Sequence, residues 1–127
     1  MPRILIAEDE PDIRNLITFT LRFEGYEVID TANGADAYAK AQELAANNEP
    51  PDLILMDVRM PRMTGYEACE KIKAHPDLKN IPVAFLSAKG QDAEIQTGLA
   101  VGAAAYIIKP FGPDQLTTKV KELLAQS

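Results

Sequence analysis

Ile4-Leu5-Ile6-Ala7-Glu8-Asp9 is an apolar run that stops abruptly on two acids. The pattern returns twice, where Leu53-Ile54-Leu55-Met56 runs into Asp57 and Tyr106-Ile107-Ile108 runs into Lys109. Runs this short, bounded by turn residues, read as strands buried on both faces, the kind that parallel sheets contain. Parallel strands finish on one common edge, so the three acids and the lysine are expected to meet there.

Between these runs the spacing of apolar residues turns helical. Glu10-Pro11-Asp12 suits a first helical turn, Ile13, Leu16, Ile17 and Leu21 repeat on one face, and Gly25 supplies the stop. A second strand is expected over 27–31, then an Ala-rich helix over 34–47 closed by Pro50-Pro51. The third strand spans 52–57. Thr64 with Glu67 predicts a capping box opening a helix to about residue 74, where His75-Pro76 ends it. A fourth strand is expected over 82–87, and a helix over 91–101 that Gly98 softens by about 1 kcal/mol relative to Ala. The fifth strand is placed at 103–108, and Leu116, Val120, Leu123 and Leu124 line a last helix over 113–126.

Five strands alternating with five helices predict the α/β class: a five-stranded parallel sheet with right-handed crossovers and helices on both faces. The common solution is a flavodoxin-like three-layer sandwich with strand order 2-1-3-4-5, in which strands one and three flank the switch point where ligands bind. That order places Glu8, Asp9 and Asp57 together and brings Ser87 and Lys109 to the same edge. With 127 residues, 46% of them hydrophobic, the chain reads as one domain over 1–127.

The charge balance narrows the function. A formal net charge of -6, with no basic run, argues against a nucleic-acid surface. No secretory signal and no membrane span is visible, and the lone Cys69, read as a small helical hydrophobe, suits a reducing cytoplasm. Met1, close to the first strand, reads as a native start, with either a free-standing or an excised domain open. His75, at a helix end, reads as structural, and Met56, Met60 and Met63 as loop packing.

Clustered carboxylates need compensation, since two like charges ~4 Å apart repel by roughly 4 kcal/mol at an effective dielectric near 20. A divalent cation is the natural remedy, and Mg²⁺ takes a few carboxylates, a carbonyl and waters, usually beside a phosphate. The added lysine and hydroxyl suit phosphoryl oxygens.

Glu8-Asp9-Glu10-Pro11, Asp57-Val58-Arg59-Met60-Pro61 with Gly65 beyond, Ser87-Ala88, and Gly102-Ala103 through Tyr106 to Lys109-Pro110-Phe111 resemble the response-regulator receiver domain over essentially the whole chain. The resemblance implies a phospho-accepting switch of a two-component system rather than a turnover enzyme. It implies Asp57 as phosphoacceptor, taking the group from a histidine kinase or histidine phosphotransfer protein. Mg²⁺, or Mn²⁺ in its place, would be held by Glu8, Asp9, Asp57 and the backbone carbonyl of Arg59. Lys109 would pair with the phosphoryl group, Ser87 would be drawn to it and Tyr106 would follow inward as the switch, shifting a pre-existing equilibrium. The Lys109-Pro110 bond would be cis, and Arg59 and Lys89 would tune the lifetime of the acyl phosphate.

Two rival readings come from other classes. A Mg²⁺-dependent aspartyl phosphatase would carry a second Asp two residues after the first, where this chain has Arg59. A flavin mononucleotide carrier would have a phosphate loop rich in Ser, Thr and Gly, where Glu8-Asp9-Glu10 would repel phosphate. Receivers that drive DNA-binding dimers usually have two acids before the strand-five tyrosine; here stand Ala104 and Ala105. The expected output is therefore a monomer or weak dimer whose fourth helix, fifth strand and fifth helix regulate an unknown downstream protein.

Overall fold

A computed structural model of the chain describes residues 2–88 and 102–126. Its elements run β1 (Arg3–Ala7), α1 (Pro11–Phe23), β2 (Glu27–Thr31), α2 (Gly34–Ala46), β3 (Leu53–Asp57), α3 (Gly65–Ala74), β4 (Val83–Ala88), β5 (Ala105–Lys109) and α4 (Pro113–Gln126). The helix expected over 91–101 lies outside the described residues. All strand pairs are parallel, as the alternation of elements predicts, and the order is β2-β1-β3-β4-β5, the flavodoxin-like solution expected above.

Side-chain alternation along each strand splits the core into two layers. Ile4, Ile6, Leu53, Leu55, Ala84 and Leu86 face α1 and α4, packing on Ile17, Leu21, Leu116 and Val120. Leu5, Ile54, Met56, Val83 and Phe85 face α2 and α3, packing on Ala41, Ala68 and Ile72. Each fully buried Leu or Ile contributes about 1.5–3 kcal/mol relative to exposure, so the three central strands anchor the sheet.

Local signals act where the residues place them. Pro11 opens α1, and Gly25 ends it with φ +94°, a conformation that costs glycine little. Thr64 and Glu67 form the reciprocal capping box at the start of α3. His75 Nδ1 accepts the Asp77 N–H, and the ring meets Tyr38 edge-on, a structural role.

Two expectations are corrected. The fifth strand begins at Ala105 rather than 103, because the chain leaves the left-handed Gly102 (φ +97°) and first reaches the sheet with the Ala104 N–H on the Val83 carbonyl. That strand is also not buried on both faces: Ile108 is 39% exposed, on a strand that among the described residues pairs with β4 alone.

Candidate phosphoryl and metal site

The two-residue period of the strands delivers the site. Glu8 follows Ile4 and Ile6, Asp57 follows Leu53 and Leu55, and Lys109 follows Ile107, so all three leave the carboxyl edge on the α1 side of the sheet. Lys109 Nζ donates to Glu8 Oε1 and to Asp57 Oδ2, each at 2.8 Å. One ammonium thus serves two carboxylates. Asp9 adds a third, and ligand oxygens of Glu8, Asp9 and Asp57 lie within 4.8 Å of one another. Among the described residues no other group of acids, histidines or cysteines is gathered in this way.

Burial ranks the three acids. Glu8 is fully buried and Asp57 nearly so, whereas Asp9 is exposed. Burial first, and then the hydrogen bond and charge of Asp57, push the Glu8 carboxyl up to about 7, with Lys109 opposing. For Lys109, burial alone would favour the neutral amine. The hydrogen bonds and charges of Asp57 and Glu8 outweigh it and raise the ammonium above its ordinary value. An all-oxygen donor set with excess negative charge and one open side fits a hard divalent cation, which would replace the proton on Glu8.

Asp57 also accepts the Arg59 N–H on Oδ1 at 3.2 Å, so each carboxylate oxygen has a donor. Arg59 begins a loop whose far end returns to the strand: the Gly65 N–H donates to the Val58 carbonyl at 3.0 Å, and a Cβ at Gly65 would collide with the Asp57 carbonyl. A cleft of about 330 Å³ opens over this edge, lined by Asp9, Asp57, Arg59, Ser87 and Lys109 together with Glu10 and Val58.

Ser87 is buried at the end of β4 and reaches this cleft from the sheet face opposite Asp57. Tyr106 stands apart. It is half-buried on β5, outside the cleft lining, with its ring centroid 5.7 Å from that of Phe85. Ser87, Phe85 and Tyr106 share one sheet face, so a continuous strip of side chains runs from the cleft to the sheet edge. The Lys109–Pro110 peptide bond is cis. Lys89 lies outside the described residues.

Sequence reading missed Arg14. Its Nη1 donates to the Glu8 carbonyl at 2.8 Å, and its Nε lies 3.7 Å from Asp30 Oδ2 at the end of β2. This guanidinium fixes the peptide joining the two acids. A long cation one turn into a helix that follows an acidic strand end is the signal that marks it.

Comparison with known proteins agrees with this geometry. The family model described as "Response regulator receiver domain" matches residues 4–121. The phosphate regulon transcriptional regulatory protein PhoB of Rhizobium meliloti (strain 1021) is 33% identical over 127 residues, covering 100% of this chain and 54% of PhoB. The chain spans about half the length of the curated relatives it matches. Among solved structures, the chemotaxis response regulator CheY4 of Vibrio cholerae is 34% identical with a TM-score of 0.89, over 97% of this chain and 98% of that one. The receiver domain of a sensor histidine kinase from Pseudomonas aeruginosa PAO1, with a magnesium ion coordinated in its active-site cleft, is 30% identical with a TM-score of 0.87, over 98% of each chain.

Proposed function

We propose a mechanism from the premise that the chain belongs to the response regulator receiver domain family, and is thus a phospho-accepting switch of two-component signalling. Receivers bind a divalent metal, and in this chain we assign that role to Glu8, Asp9, Asp57 and the Arg59 backbone carbonyl, with Mg²⁺ as the ion and Mn²⁺ as a substitute. Support comes from the all-oxygen cluster and from the magnesium in the cleft of the Pseudomonas neighbour. When bound there, the ion would offset negative charge on the phosphoryl oxygens.

The observation that carries the reading is the fork of Lys109 between Glu8 and Asp57. A carboxylate oxygen of Asp57 attacks phosphorus of a phosphohistidine on a histidine kinase or histidine phosphotransfer protein. The new O–P bond forms as the N–P bond breaks, and the imidazole leaves with the electron pair. Lys109 releases Asp57 and meets the added phosphoryl charge. Ser87 donates to a phosphoryl oxygen, and Tyr106 moves along the Phe85 strip toward the space behind it. The phosphoryl contacts exist only in the switched state, so they shift a prior equilibrium.

An aspartyl phosphatase is not favoured, because Arg59 occupies the position of the second Asp and its N–H is committed to Asp57. We assign self-catalysed phosphorylation and dephosphorylation at Asp57, without turnover of a free substrate, in the cytoplasm. Among the described residues no helix is long and apolar enough to cross a membrane. The output is a downstream protein rather than nucleic acid, met by a monomer or weak dimer of one domain over 1–127. Exposed Ala104 and half-buried Ala105 support that reading, since neither can form the salt bridges expected of a DNA-binding dimer.

The test is intact mass after incubation with Mg²⁺ and acetyl phosphate. One added phosphoryl group in the wild type and none in Asp57→Asn is expected. Equal labelling of both proteins overturns the assignment.

A further inference from the structure

We infer that the start of α2 is a backstop for the loop after β3, and that Gly34 is a positioning residue for metal binding at Asp57 and Arg59. This rests on the metal role proposed above for that loop. A Cβ at Gly34 would lie 2.5 Å from the Met63 carbonyl oxygen, 3.1 Å from the Thr64 oxygen and 3.2 Å from the Met63 carbonyl carbon. All three are backbone atoms, so no side chain can swing aside to make room. Gly34 is buried, and glycine is the one residue that lets the two backbones approach this closely.

The contact is reinforced on its outer side. Arg62 Nη1 reaches Asp36 Oδ1 at 3.3 Å, and Asn33 caps the helix by accepting the Asp36 N–H at 2.8 Å while its own amide donates to Asp36 Oδ2 at 3.0 Å. Arg62 holds φ +70°, a left-handed conformation rare for a residue with a side chain. The loop is thus pressed against α2 at 62–63 and tied to the sheet at Val58 through the Gly65 N–H. Between those two points lies Arg59, whose N–H is on Asp57 and whose carbonyl is the proposed ligand.

A methyl group at Gly34 must push the loop by roughly 0.5–1 Å, comparable with the ~0.5 Å within which a binding constellation has to be held. Because the far end is tied, the displacement falls on 59–63. The expected consequence is weaker metal binding rather than lost chemistry.

The test titrates the full chain with Mg²⁺ alone by calorimetry, then measures labelling by acetyl phosphate at rising Mg²⁺. Gly34→Ala is expected to bind Mg²⁺ about tenfold more weakly, in line with losses at groups that orient metal ligands. It should still reach the wild-type labelling plateau at saturating Mg²⁺. Gly112→Ala is the control, since a Cβ there meets nothing within 4 Å, and it should stay within about twofold of wild type. A Gly34→Ala affinity within twofold of wild type, or a lowered plateau with unchanged affinity, overturns the inference. Wild-type protein that binds no Mg²⁺ overturns the metal assignment instead. Should circular dichroism show Gly34→Ala unfolded, Arg62→Ala carries the test, with at least a twofold loss expected and an unchanged affinity counting against the backstop.

Discussion

β3 and β5 carry similar apolar runs and finish on the same edge, yet their surroundings differ. Every residue of β3 is buried, with a paired strand on each side. On β5 only Ile107 is buried, and Ile108 is 39% exposed. The central strand holds its terminal carboxylate in one place. The edge strand sends Lys109 into the site while leaving Tyr106 only half-buried. In the proposed function this difference separates the chemistry, which needs fixed geometry, from the readout, which needs a side chain with somewhere to go.

The largest expected effect tests the rigid half. Leu55→Ala, beneath Asp57 on the same face, should destabilise the fold by about 2–5 kcal/mol in chemical denaturation, because a filled core position becomes a cavity. A loss under about 1 kcal/mol would break the contrast between the strands.

Next comes pH. The folded state raises Glu8 from 4.5 to about 7, so without metal, between those two values, it holds a proton that the unfolded chain has released. The stability this contributes is present in full below 4.5 and disappears as pH rises through about 7. Mg²⁺ needs the carboxylate, so its affinity should change in the opposite sense. Between pH 8 and pH 6 it should fall about tenfold, and that slope should flatten in Glu8→Gln. A wild-type affinity independent of pH in this range contradicts the role of Glu8.

Smaller effects sharpen the comparison. Thr64→Ala removes the capping box that starts α3 just beyond β3, and should cost about 1 kcal/mol in thermal or denaturant unfolding. Ile108→Ala on the edge strand should cost no more than about 0.5–1 kcal/mol by the same measurement. An Ile108 effect equal to that of Leu55 would mean that β5 is held as firmly as β3.

Most of this arrangement was legible in the chain. The parallel sheet followed from the alternation of β and α segments and its order from the commonest way such sheets are wound, and Glu8, Asp9, Asp57 and Lys109 could be gathered because parallel strands share an edge. The capping box at Thr64 and the stop at Gly25 are local, so spacing alone exposed them. What spacing could not show is contact between segments. Arg14 on the Glu8 carbonyl and Gly34 against Met63 depend on how helices seat on the sheet, which no short-range pattern encodes. The burial of β5 was misjudged for a related reason, since an apolar run is the same string of letters at the centre of a sheet and at its rim. The late start of that strand was hidden in the conformation of Gly102.

The central claim is that Asp57, and no other carboxylate of the cluster, accepts the phosphoryl group. The direct measurement is borohydride reduction of protein treated with Mg²⁺ and acetyl phosphate, followed by peptide mapping. Reduction of an aspartyl phosphate leaves homoserine, and the account predicts homoserine at position 57 with Glu8 and Asp9 unaltered. A reduced residue at position 8 or 9, or labelling with position 57 intact, would contradict it.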